Sequence, residues 1–120
     1  MGTENKIIIS ELKNHLINNY GDSVKDVVLF GSHARGDSNN FSDYDVLIIL
    51  KNDYSGKDEN RILDLCYDIN LKYEILLDVH IISNNELKSI RGKQPIFINA
   101  IKSGIPLPLV LNEGSMVLSL

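Results

Sequence analysis

Tryptophan is absent, cysteine occurs once and proline three times. No apolar run approaches the ~20 residues that a membrane-spanning helix requires. Each scarcity excludes something. A lone Cys66 cannot close an internal disulfide, and no zinc-ligand spacing accompanies it, so neither kind of staple is expected. That usage suits a reducing compartment. The N-terminus carries no basic stretch followed by an apolar run, so no signal peptide is read, and the expected location is cytoplasmic with no membrane contact. Positive charge is also short: 12 Lys and Arg stand against 16 Asp and Glu, a net charge of -4. Nonspecific nucleic-acid binding needs the opposite balance and is not expected.

What remains is ordinary globular material. The 120 residues are 43% hydrophobic and 23% charged, enough for one domain with a real core and not the composition of a disordered chain. The expected organisation is a single domain over 1–120, with an apolar C-terminal tail from about residue 105. No internal repeat or linker interrupts it.

Hydrophobic spacing orders the elements. Ile7, Ile8, Leu12, Leu16 and Ile17 predict one face of a helix over Lys6–Tyr20, stopped by Gly21. Val27–Phe30 reads as a buried strand, and Tyr44–Leu50 as a second, apolar on both faces and therefore central. Lys57–Tyr73 repeats Ile62, Leu65, Cys66 and Ile69 at helical spacing, with Cys66 as core. Glu74–Ile82 is a third strand. Glu86–Ser103 is helical in two pieces, the second entered at Pro95. Ile105–Leu111 and Ser115–Leu120 suggest a hairpin, with Pro106 and Pro108 confining the first run to an edge or tail. The expected class is α/β (α+β), a small mixed sheet flanked by helices.

Three carboxylates stand where carboxylates are costly. Asp43 and Asp45 open the central strand two residues apart, so they share a face with Cα atoms ~6–7 Å apart. Asp78 stands alone in Ile75-Leu76-Leu77-Asp78-Val79-His80-Ile81-Ile82. Charged groups in such surroundings need a partner, and a bound cation supplies one. If the two strands are neighbours, the three carboxylates suit two Mg2+ ions ~3.5–4 Å apart, the arrangement of in-line phosphoryl and nucleotidyl transfer. Gly31-Ser32 directly follows the first strand, where a missing side chain lets a phosphate approach the backbone.

The combination is more specific than its parts. Leu29-Phe30-Gly31-Ser32-His33-Ala34-Arg35-Gly36, then Ser42-Asp43-Tyr44-Asp45-Val46, then Asp78, resembles the polymerase-beta nucleotidyltransferase superfamily. The variant is similar to that of minimal nucleotidyltransferases, including the antitoxins paired with HEPN-type toxins. The resemblance runs from Lys6 to about Leu107 and implies a polymerase-beta-like fold. It implies that Gly31 and Ser32 hold the triphosphate of ATP. It further implies that Asp43, Asp45 and Asp78 ligate Mg2+, and that Asp78 helps deprotonate an acceptor hydroxyl. The larger members' extra domains have no counterpart here, so a partner toxin or a homo-oligomer is expected to supply those contacts.

Other residues carry weaker expectations. Arg35 serves either the phosphate or a surface ion pair with Asp37. His33 is expected to be exposed and Tyr44 to pack away from the aspartates; His80, two residues past Asp78 and on the same face, is read as a hydrogen-bonded core or edge histidine, with a place near the metals as the alternative. The leading function is AMP transfer from ATP to a hydroxyl on a partner toxin. Transfer to a small molecule and a non-catalytic antitoxin binding module are the alternatives.

Overall fold

The computed structural model describes residues 3–21, 23–36, 43–89 and 93–106. The elements run α1 (Thr3–Asn19), β1 (Val24–Phe30), α2 (Gly31–Arg35), β2 (Tyr44–Leu50), α3 (Gly56–Tyr73), β3 (Leu77–Ser83), α4 (Asn84–Leu87), α5 (Pro95–Ser103) and β4 (Ile105–Pro106). The strands form one mixed sheet in the order β3-β2-β1-β4. β1 is antiparallel to both β2 and β4, and β2 is parallel to β3.

The sheet separates two apolar clusters. Tyr44, Val46, Ile48 and Leu50 of β2 join Ile8, Ile9, Leu12 and Leu16 of α1 and Ile62, Leu65, Cys66 and Ile69 of α3 on one face. Leu47 and Ile49 alternate to the other face, where Val28, Phe30, Ile82 and α5 residues Phe97 and Ala100 meet them. β2 is thus buried on both sides, as its unbroken apolar run predicts. Each fully buried aliphatic side chain there contributes about 1.5–3 kcal/mol.

Local chemistry sets the helix ends. Ser55 Oγ accepts from the Asp58 amide at 3.2 Å, while the Asp58 carboxylate accepts from the Ser55 amide at 2.9 Å, a reciprocal capping box. Ser83 and Glu86 repeat the device at α4. Pro95 stands in the first turn of α5, as expected. Gly21, at φ +121, follows α1 with its amide bonded to the Ile17 carbonyl.

Several boundaries and burials differ from the sequence reading. The third strand begins at Leu77 rather than Glu74, because Glu74 takes the left-handed conformation that ends α3 (φ 54). Ile7 is 54% exposed and Ile9 fills the inner face of α1 in its place. Lys13 is buried on the same helix because its ammonium donates to Asp26 on β1 at 3.2 Å. Beyond Pro106, the expected hairpin and apolar tail lie outside the described residues, as does the turn-rich segment 37–42. No helix among the described residues is long and apolar enough to cross a membrane.

Candidate active site

At Phe30 the last strand residue of β1 pairs with Asp45, and Asp45 pairs in turn with Asp78 on the far side. The C-terminal end of β1 and the N-terminal ends of β2 and β3 therefore meet on one edge of the sheet. Strand alternation puts Asp45 on the side of Leu47 and Ile49, the α5 side. Asp78 precedes the buried part of β3 and is itself exposed.

Gly31 makes the corner. Its φ of +75 is a left-handed conformation that side chains rarely adopt. A Cβ there would also collide with Oδ2 of Asp45 and stand 3.0 Å from its Cγ. The Asp45 carboxylate thus occupies space that exists because residue 31 has no side chain. From this corner the chain enters α2, which carries Ser32 and Arg35; the side chains of these two residues lie outside the described residues.

The electrostatics follow from the crowding. Burial pushes the Asp45 carboxyl above the usual range, and the hydrogen bond and charge of Asp78 add to it, as does the charge of Asp43. His80 opposes them. Asp43 lies one residue ahead of β2 and is exposed. It acts on Asp45 by charge, but the tight cluster consists of Asp45, Asp78 and His80, whose ligating atoms all lie within 4.8 Å of one another. Two carboxylate oxygens and an imidazole nitrogen that close are a donor set that fits a divalent cation.

One histidine departs from expectation, and a second takes the less favoured of its two readings. His33 is buried, not exposed: α2 folds back so that its ring stacks on Tyr44 at 3.6 Å, the planes 10° apart. Tyr44 does pack away from the aspartates, and its hydroxyl donates to Asn5 at 2.8 Å. His80 joins the acidic cluster rather than simply filling an edge. Its Nε2 is 3.5 Å from Oδ2 of Asp78. The contact lacks hydrogen-bond geometry, and the buried nitrogen has no hydrogen-bond partner among the described residues. The signal was present in the sequence, because residues two apart on a strand share a face.

Comparison with known proteins points the same way. Residues 9–105 match the family model described as a nucleotidyltransferase domain. MJ0604, a candidate protein adenylyltransferase of Methanocaldococcus jannaschii, is 32% identical over 96 residues, covering 80% of this chain and 90% of its own. MJ0141 of the same organism, similarly named, is 40% identical over 70 residues, covering 58% and 71%. A chain of a toxin-antitoxin crystallised with AMP-PNP shares the fold, with a TM-score of 0.59 at 19% identity, over 88% of this chain and 72% of its own.

Proposed function

The chain belongs to the nucleotidyltransferase domain family, and on that premise we propose that it moves AMP from ATP onto a hydroxyl of a partner protein, as the antitoxin beside a HEPN-type toxin. The observation that carries this reading is the pairing of Asp45 with Asp78 across parallel strands, beside a glycine that leaves room for a carboxylate. The names of the relatives support a protein acceptor, and the AMP-PNP in a toxin-antitoxin neighbour supports an adenine nucleotide and a toxin partner.

In this reading Asp43, Asp45 and Asp78 would hold the two Mg2+ ions that the reaction uses. When bound, such ions neutralise charge developing on the α-phosphoryl group and on the pyrophosphate. The chain's own residues do the rest. Gly31 and Ser32 receive the triphosphate where β1 turns into α2, with Arg35 one helical turn on. Asp45, the less exposed carboxylate, is a fixed wall. Asp78 is 53% exposed on its side chain and so is open to an acceptor from solvent. The acceptor oxygen bonds to the α-phosphorus, the bond from that phosphorus to the bridging oxygen breaks, and pyrophosphate leaves. The hydroxyl proton passes to Asp78.

The test is transfer of label from α-labelled ATP with Mg2+, for the wild type and Asp43→Asn, with and without the protein encoded beside it. Label on that neighbour, lost in the variant, supports the proposal. Label on a small molecule instead moves the acceptor to the second reading. Neutralisation of the neighbour that survives Asp43→Asn without any transfer replaces the enzymatic role with binding alone.

A further inference from the structure

Nε2 of His80 is a buried nitrogen facing an acidic pair, and among the described residues no hydrogen bond satisfies it. The ring is fixed from behind by Phe30, with centroids 5.8 Å apart and planes tilted by 51°. From the front, Nε2 looks toward Oδ2 of Asp78. Buried polar atoms normally have partners, and an exception asks what completes it. Water and a cation both can, but the surroundings favour the cation. Asp45 and Asp78 are register partners on parallel strands, and their oxygens converge with Nε2 of His80 within 4.8 Å, a clustering of two carboxylates that a cation between them stabilises. The same cation takes the nitrogen lone pair.

The dimensions agree. Donors bound to one first-row cation sit about 2.0–2.2 Å from it, so adjacent donors are about 3–3.5 Å apart and opposite ones about 4–4.4 Å. The three donor atoms here fall within 4.8 Å, a spread that small side-chain rotations close. The chemistry of the set then discriminates between ions. Mg2+ takes oxygen donors and keeps several waters. Imidazole nitrogen favours transition ions, in the order of their general affinity for such ligands.

We propose that His80 Nε2 is a third donor to the cation held by Asp45 and Asp78, and that it gives this site a preference for a first-row divalent transition ion over Mg2+. The proposal rests on Asp45 and Asp78 being a metal-holding pair. It adds a nitrogen ligand to a site otherwise made of carboxylates, and so changes which ion the enzyme takes when both are present.

Binding without nucleotide tests it independently of catalysis. Co2+ is titrated calorimetrically and by its visible absorption, and Mg2+ by competition, for the wild type, His80→Ala and Asp45→Asn. His80→Phe, which keeps a ring against Phe30, carries the same test if His80→Ala does not fold by circular dichroism. The expected result is a loss of about tenfold or more in Co2+ affinity on removing the imidazole, with an altered Co2+ spectrum and less than a twofold change for Mg2+. Equal losses for both ions make His80 a packing residue and overturn the proposal. No change for either ion, while Asp45→Asn loses both, also removes His80 but leaves the carboxylate pair standing. A wild type that binds neither ion overturns the proposal and the metal-holding pair together.

Discussion

Gly31 and Asp45 share one volume: the carboxylate of Asp45 stands where a Cβ of residue 31 would be. The two residues come from different strands and are brought together by the β1–β2 register, which pairs Asp45 with the residue just before the glycine. The motif glycine therefore has two reasons to be glycine, its positive φ and the neighbour it makes room for.

Gly31→Ala and Gly36→Ala separate these reasons. Both glycines have positive φ, at +75 and +84, but none of the described residues lies within 4 Å of a Cβ at Gly36. Gly36→Ala is expected to cost about 1 kcal/mol in thermal unfolding and leave nucleotidyl transfer within about twofold. Gly31→Ala is expected to cost more than that and to lower transfer by about 100-fold, because the Asp45 carboxylate must move. Equal behaviour of the two variants in melts and in transfer assays refutes the packing account.

Asp45→Asn is expected to stabilise the metal-free protein. Burial, followed by Asp78, holds the folded Asp45 carboxyl above its ordinary value. The stability tied to that group is full below its unfolded pKa and is lost as pH rises through the folded one. At neutral pH the variant is therefore expected to melt about 2–4 °C higher than wild type, the size of a sub-kilocalorie relief in a domain this long. The advantage shrinks toward acid, and melting curves across that range in chelator check it.

Glu11→Gln shows the opposite sign. Lys72 donates to Glu11 at 2.6 Å and Tyr73 donates to its other oxygen, tying α3 to α1 and holding the carboxyl below its usual range. That contribution is present above the unfolded pKa and is lost as pH falls through the folded one. The variant is expected to melt about 1–2 °C lower at neutral pH, as for a largely exposed ion pair, and to match wild type in strong acid. A gap that persists there assigns the loss to packing.

Cys66 is expected to resist thiol reagents in the folded protein. It is 2% exposed between α3 and the sheet, and burial pushes its thiol up to about 12. Reaction with a chromogenic disulfide at pH 8 is expected to be slower than in denaturant by about 100-fold or more, with unfolding setting the rate. Rapid labelling of folded protein contradicts the burial.

Much of this was legible before any coordinates because it depends on neighbours along the chain. The period of Ile62, Leu65, Cys66 and Ile69 dictates a helix face, and α3 buries those four. The unbroken apolar run after Asp45 dictates a strand buried on both sides, and Pro95 dictates a helix start. Asp43, Asp45 and Asp78 stood out because apolar strands rarely carry carboxylates.

What the sequence left open depended on contacts between distant segments. Ile7 and Ile9 are equally apolar, and the angle at which α1 lies on the sheet decides that Ile9 is inside. Lys13 is buried because Asp26, on another element, pairs with it. His33 reads as a loop residue until α2 folds its ring onto Tyr44. Local pattern alone thus determined the element order, the sheet faces and the acidic residues of this protein. Only the tertiary structure decided that Asp45 fills the space of Gly31 and stands beside Asp78, because strand register is set by the packing of the whole sheet rather than by either residue's neighbours.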